Sequence, residues 1–274
     1  MTAITYTLVP TLLLMLYAAL LTTWITVAYH ADKRLEQLAI RAGYGLLAAH
    51  FIWIVGITIF QRQVPIVSLG QISVFLGLLI WAGQTYMQRR ISQRMLVLLP
   101  TAAVVFLLFV SVVAGMRPAA SSDVMQGVRV AFHVTLSLAG LAMLMGAGVY
   151  GTGYMILHRQ IKTRSFGHLF GSLPSMDELH RLRIGAVRMA WLLITISLLL
   201  ATVWMLFGKS REAVFHSHLR EMGILWLVVT LLAFGDRIRW MNQHRSAGIT
   251  MMFTIVTLMI VLISVIGIYA GAAA

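Results

Sequence analysis

The chain has 274 residues, of which 60% are hydrophobic and 11% are charged, and its formal net charge is +13. Soluble domains carry about 25% charged residues, so this composition excludes an ordinary soluble protein and predicts one that crosses a membrane several times. Because the chain contains no cysteine, disulfides, zinc thiolate sites and thiol redox chemistry at its own residues are excluded.

Eight apolar segments follow one another along the chain, and each is close to the length of about 20 residues that a membrane-spanning helix needs. They lie near residues 7–29, 43–61, 68–87, 95–115, 130–156, 186–208, 222–240 and 247–270. The connections between them carry charged residues, proline or glycine. We therefore expect an all-α polytopic membrane protein with eight transmembrane helices, in which residues 1–274 form a single transmembrane domain.

The basic residues predict the orientation of these segments. Fifteen of the 21 Lys and Arg residues fall in the connections after the first, third, fifth and seventh segments. Since short cytoplasmic loops retain positive charge, both termini are expected to be external. The expected location is the bacterial inner (cytoplasmic) membrane, in contact with membrane lipid. Topology also explains the net charge of +13 without a nucleic-acid partner.

Two of the nine histidines are surrounded by apolar residues. His50 lies in YGLLAAHFIWIVGITIF, and His133 lies near the start of FHVTLSLAGLAMLMGAGVYGTGYMILH. Ionisable residues inside a membrane are costly and usually serve an ion, a ligand or a cofactor. Imidazole is a ligand for haem iron, so both are candidate haem ligands; the alternative is a packing histidine with internal hydrogen bonds.

A second pair of histidines, His216 and His218, lies in AVFHSHLREMG before the seventh segment. An H-x-H pair in an external connection could bind a metal or a haem, and an exposed polar loop is the alternative. Histidines in cytoplasmic connections or at segment ends are ordinary there. They are His30, His158, His168, His180 and His244.

Two local patterns have structural interpretations. GAGVYG at residues 146–151 matches a dinucleotide fingerprint by its letters, but that fingerprint requires a turn between a strand and a helix, so we reject it inside a membrane segment. Small residues in membrane helices allow close helix approach. We expect this role for Gly140, Ala147, Gly148, Gly151 and Gly153.

Residues 175–178, Ser-Met-Asp-Glu, predict a capping box at a helix start. The arginines that follow are interpreted as cytoplasmic anchors.

The stretch from His133 through the sixth segment resembles the cytochrome c assembly family, whose members include the CcsA, HemX and YpjD types. The similar parts are HVTLSLAGLAMLMGAGVYGTGYMILHRQIK, the element Leu173-Pro174-Ser-Met-Asp177-Glu178, and Leu-Ala-Ala-His50 in the second segment. The resemblance covers roughly residues 40–270 in order and topology. It implies haem as a cofactor, and cytochrome c assembly or respiratory-complex proteins as partners.

The chain departs from the haem-handling members at two points. Their tryptophan-rich motif before the seventh span is replaced here by FGKSREAVFHSHLREMGILW, and the chain ends in IGIYAGAAA without their terminal histidine. The pattern is therefore closer to the HemX and YpjD types. Either His216 or His218 could replace the missing external ligand.

Together these observations predict a haem-binding membrane protein that assists cytochrome c assembly or haem delivery and is not an enzyme. The haem would be b-type, with His50 and His133 as ligands of its iron, in one site or in two. Basic residues in the external connections would meet the haem propionates. They are Arg117, Arg129, Lys209, Arg211 and Arg220.

Two other functions are open at this point. One is a haem-free accessory or regulatory membrane protein, which would act in tetrapyrrole synthesis or as a scaffold through residues 157–183. The other is an ion transporter, which is disfavoured because no predicted span carries a central acidic or basic residue.

Overall fold

A computed structural model gives the fold of the chain. It describes residues 2–30, 32–61, 65–66, 68–88, 95–116, 124–165, 173–207, 213–235, 242–256 and 259. Within these ranges, side chains are described except at residues 2–5, 61, 95, 124–131, 205–207 and 213–222.

The described residues form eight helices and no strands. The helices are α1 (Thr2–His30), α2 (Lys33–Gln61), α3 (Leu69–Gln88), α4 (Met95–Ala114), α5 (Val124–Thr163), α6 (Met176–Phe207), α7 (Ala213–Phe234) and α8 (residues 243–256). Each predicted segment overlaps one helix, and the ends of the last two segments, after residues 235 and 259, lie outside the described residues. Several helices are longer than the segments: α2 begins ten residues before the predicted start at 43, and α5 and α6 occupy much of the predicted connection after residue 156.

Polar side chains cap four of the described helix starts, where backbone N–H groups lack helical partners. Ser68 Oγ accepts a hydrogen bond from the N–H of Gln71 at 3.3 Å, before α3. Asp32 Oδ1 accepts a hydrogen bond from the N–H of Arg34 at 2.7 Å, before α2. Ser175 Oγ accepts one from the N–H of Glu178 at 3.3 Å, so the predicted cap of α6 is confirmed at the serine. Asn242 Oδ1 accepts one from the N–H of Arg245 at 2.9 Å and caps α8.

Among the described residues, five helices are long and apolar enough to cross a membrane. They are Tyr6–His30, Lys33–Phe60, Leu96–Ala114, Phe132–Thr163 and Met176–Trp204. Large apolar side chains on their surfaces point away from the protein, as Ile59 and Phe60 do at 73% and 74% exposed. Such surfaces are stable against lipid and not against water, so the chain has the architecture of a helical, multi-pass membrane protein.

The helices pack around two apolar clusters that meet at α5. The first joins α1, α2, α3 and α4, and includes Leu138, Ala142 and Met145 of α5. The second joins α5, α6, α7 and α8, and includes Leu144 and Ala147 of α5. At 40 residues, α5 is about 60 Å long, which is twice the hydrocarbon thickness of a bilayer. Different faces of α5 therefore pack against the two halves of the protein.

The predicted role of the small residues of α5 is confirmed. A methyl group at Gly148 would lie 1.9 Å from Thr254 Oγ1 of α8, and one at Gly140 would lie 2.6 Å from Ile194 Cγ1 of α6. One at Gly151 would lie 2.9 Å from the carbonyl oxygen of Ala247. Glycine at these positions therefore allows α6 and α8 to approach the backbone of α5.

Candidate functional site

His50 lies in the core of the first cluster and is fully buried. Its Nδ1 is 3.4 Å from the hydroxyl oxygen of Tyr17 on α1. Aromatic rings surround it: the ring centroid of Tyr17 is 5.9 Å away and that of Trp53 is 6.4 Å away. The indole of Trp81 on α3 packs against the edge of Tyr17. The imidazole is therefore held by the Tyr17 hydroxyl, and by the backbone of Val74 on α3, in an otherwise aromatic and apolar environment.

The second nitrogen of His50, Nε2, is buried without a hydrogen-bond partner among the described residues. The ring also faces the backbone of Val74 on α3. A methyl group at Gly77 of α3 would lie 4.0 Å from His50 Cε1 and 3.8 Å from Val104 Cγ1. The donor atom thus suits haem iron, and the backbone of α3 approaches the ring closely enough that a methyl group at Gly77 would already touch it. A macrocycle on this side of the ring would require α3 to move away from α2.

His133 lies in a polar cluster between α5 and α6 and is 6% exposed. Its Nδ1 is 3.0 Å from the carbonyl oxygen of Ser197. The hydroxyl of Ser197 donates to the carbonyl oxygen of His133 at 2.9 Å and lies 2.6 Å from Ser137 Oγ. These reciprocal contacts bind the two helices together at this level.

The carbonyl contact with Ser197 also favours one tautomer of His133. A carbonyl oxygen only accepts hydrogen bonds, so this contact favours a proton on Nδ1 of His133, whereas the Ser197 hydroxyl, 2.9 Å from the same nitrogen, can either accept from it or donate to it. In the neutral ring the lone pair is then on Nε2. Metal-binding histidines are commonly oriented in this way, by a carbonyl on one ring nitrogen and the metal on the other.

The two histidines belong to different side-chain clusters. Val134 and Leu138 of α5 pack against the first cluster, which contains the neighbours of His50. His133 and Ser137 instead contact Ser197 of α6. Since adjacent helix residues point about 100° apart, His133 faces away from the half of the protein that holds His50. The described contacts therefore do not bring the two imidazoles to one iron.

The other predicted ligands lie outside the described part of the site. His216 and His218 are on the first turns of α7, not in an irregular loop as expected, and their side chains are outside the described residues. The same is true of the side chains of all five basic residues assigned to propionates: Arg117, Arg129, Lys209, Arg211 and Arg220. Their roles stay predictions. Among the residues described, no group of three or more His, Cys, Asp or Glu side chains could hold a metal ion.

The sequence interpretation missed Arg183. The arginines after Ser175 were expected to be cytoplasmic anchors, and Arg183 is instead fully buried on α6. Its Nη1 donates to Ser246 Oγ at 2.7 Å and to Thr250 Oγ1 at 3.3 Å, both on α8, and Nη2 lies 3.1 Å from His180 Nδ1. The paired hydroxyls at positions 246 and 250, one helical turn apart, are the sequence signal that could have indicated this contact.

A cavity of about 920 Å³ lies between α3, α4, α5, α6 and α8. Most of its lining is apolar, and its charged side chains are Glu178, Arg181 and Arg188. Neither His50 nor His133 lines it. The cavity is large enough for an amphipathic molecule, but it is separate from both candidate iron ligands.

Comparison with known proteins does not identify the chain: no family model, no curated protein and no solved structure matches it. The resemblance to the cytochrome c assembly family therefore stays a prediction, based on the motifs around His50, His133 and Leu173–Glu178.

Proposed function

We propose that the protein is a haem-binding integral membrane protein that assists cytochrome c assembly or haem delivery. It would cross the bacterial inner membrane eight times with both termini external, as the distribution of Lys and Arg indicates. The observation that carries the proposal is the contact of His133 Nδ1 with the carbonyl oxygen of Ser197. It favours the tautomer with the lone pair on Nε2, the nitrogen through which a metal would bind.

His50 supports the proposal as a second candidate ligand. Its buried Nε2 has no hydrogen-bond partner among the described residues, and its lone pair would be available to coordinate a haem iron. When bound, a b-type haem would provide redox-active iron or be the cargo itself. The residues of this chain would hold it: His50 oriented by Tyr17, and His133 oriented by Ser197.

The helix register places the two histidines at similar depths. Gly77 beside His50 lies six residues, or about 9 Å, before Gly83 on α3. Gly83 lies beside Met143 of α5. In an alternating bundle α3 and α5 run in the same direction, so Gly77 is level with Ser137, about 6 Å along α5 from His133.

Similar depth does not join the sites, because His133 faces α6 and His50 faces α3. Each histidine would therefore serve a site of its own. His216 or His218 stays the predicted external partner of His133, and the large cavity without histidine is not part of either site.

An absorption spectrum tests the proposal. Protein purified from haem-replete cells should show a Soret band that H133A or H50A weakens. The matched control is H30A, because His30 is exposed and bonds only to the Thr26 carbonyl of its own helix among the contacts seen. Haem-free wild-type protein under these conditions would contradict the proposal.

A second function is a haem-free accessory or regulatory membrane protein. It is favoured by the packing of His50, whose ring a methyl group at Gly77 would already touch, and by the contacts that make His133 a link between α5 and α6. In this case residues 157–183 would bind a partner of tetrapyrrole synthesis or of a respiratory complex. Deletion of residues 160–172 should then abolish co-purification of that partner while the spans stay folded.

A further inference from the structure

A second cavity, of about 400 Å³, lies where the C-terminal end of α5 meets the start of α8. Four of the eight residues that line it are basic: His158, Arg159, Lys162 and His244. None of the lining residues is acidic, and Met155, Ile156 and Met251 form an apolar wall beside the basic groups. The cavity is thus both positively charged and apolar.

The two histidines of this cavity contact each other, and one of them also contacts the ring of Tyr154. The ring centroids of His158 and His244 are 4.4 Å apart, and the ring of Tyr154 stacks on His158 with an interplanar angle of 15°. The hydroxyl of Tyr154 lies 3.5 Å from Gln243 Oε1, on the residue before His244. The imidazoles are therefore held in place by contacts between α5 and α8, whereas an ordinary surface histidine is mobile.

The location of the cavity restricts what can occupy it. Residues 155–162 are at the end of α5 that the Lys and Arg distribution places at the cytoplasmic surface. Arg159 and Lys162 are exposed there, and His158 and His244 are half-buried behind them. A ligand at this level has access to both the aqueous phase and the acyl region of the inner leaflet.

We propose that this cavity binds the headgroup of an anionic phospholipid, with the phosphate among His158, Arg159, Lys162 and His244 and an acyl chain against Met155, Ile156 and Met251. Basic pockets between membrane helices on the cytoplasmic side bind such headgroups. A negative phosphate also offsets the positive charges of Arg159 and Lys162 in one cavity. The lipid would join α5 to α8, and this role is independent of haem binding.

The proposal is tested with the full-length protein in detergent, by native mass spectrometry during titration with phosphatidylglycerol or phosphatidylcholine. The wild-type protein should bind one phosphatidylglycerol at least tenfold more tightly than phosphatidylcholine. Since each basic residue near a membrane surface contributes about fivefold to anionic lipid binding, the R159Q/K162Q variant should bind phosphatidylglycerol roughly 25-fold more weakly. The H158Q/H244Q variant should also lose the preference.

The control variant is K33Q/R34Q, which removes the same charge from the exposed start of α2. It should bind phosphatidylglycerol as the wild-type protein does. Three results would overturn the proposal: equal binding of both lipids, an equal loss in R159Q/K162Q and K33Q/R34Q, or inorganic phosphate binding as tight as phosphatidylglycerol. The last result would indicate a site for a free anion. Thermal unfolding of each variant in the same detergent shows that a loss of binding is not a loss of fold.

Discussion

His133 of α5 and Ser197 of α6 exchange two hydrogen bonds across the helix interface. Nδ1 of His133 lies 3.0 Å from the carbonyl oxygen of Ser197, and the hydroxyl of Ser197 donates to the carbonyl oxygen of His133 at 2.9 Å. A histidine with these contacts is oriented as a metal ligand would be, and it also stabilises the packing of the two longest helices.

Removal of the Ser197 hydroxyl should weaken the α5–α6 interface. S197A removes a buried donor and leaves the carbonyl of His133 with Ser137 only among the contacts seen, so we expect a loss of about 1–3 kcal/mol in the free energy of unfolding. The matched control is T202A on the same helix, because Thr202 is exposed and bonds to the Leu198 carbonyl of its own helix. Denaturant unfolding in micelles compares the two variants, and equal losses would contradict the assignment.

Gly148 should not tolerate a side chain. A methyl group there would lie 1.9 Å from Thr254 Oγ1, so G148A must displace α8 from α5 and should lower the melting temperature of the protein. Gly146 is the control, since a methyl group there has no neighbour within 4 Å. G146A should be neutral or stabilising by up to about 1 kcal/mol, because alanine favours helix. A G148A protein as stable as G146A would disprove the close approach.

Replacement of Arg183 should be more damaging than replacement of Arg181. R183Q removes the donor to Ser246 and Thr250 at the α6–α8 interface, and the buried hydroxyls and His180 lose a charged partner. We expect a loss of about 2–4 kcal/mol in the free energy of unfolding. R181Q, two residues earlier on an exposed position, should change it by less than about 0.5 kcal/mol. Similar values for the two variants would place Arg183 at the surface.

The proposed topology can be tested because the chain has no cysteine of its own. S121C, in the connection between the fourth and fifth segments, should react with a membrane-impermeant maleimide in intact spheroplasts. S165C, at the end of α5, should react only after the membrane is permeabilised. The reverse pattern would show that the positive residues are external and would invert the predicted orientation.

The sequence predicted the helices well because their apolar length is set by the bilayer. It predicted the close approach at Gly148 and Gly151 because small residues inside membrane helices have few other roles. The sequence interpretation was wrong at Arg183, because an arginine near a segment end is usually a cytoplasmic anchor. The hydroxyl groups of Ser246 and Thr250 that bind Arg183 come close to it only in the folded protein. Contacts between residues 63 and 67 positions apart are not visible in local periodicity.

The sequence predicted which two histidines are candidate ligands, but it did not predict their relative position in the fold. His50 and His133 are conspicuous in the sequence because their neighbours are apolar. Their separation into two clusters depends on the rotation of α5, which presents Val134 to one half of the protein and His133 to α6. The Lys and Arg positions and the segment ends contain no information on that rotation.

The most direct test of haem binding by His133 is imidazole rescue of the cavity variant H133G. Wild-type protein from haem-replete cells should show a Soret band, H133G should lose most of it, and millimolar imidazole should restore it because the free ligand replaces the missing ring. A histidine that only links α5 to α6 would give no rescue of the band. A wild-type protein without a Soret band, or an H133G band equal to that of the wild type, would contradict the account.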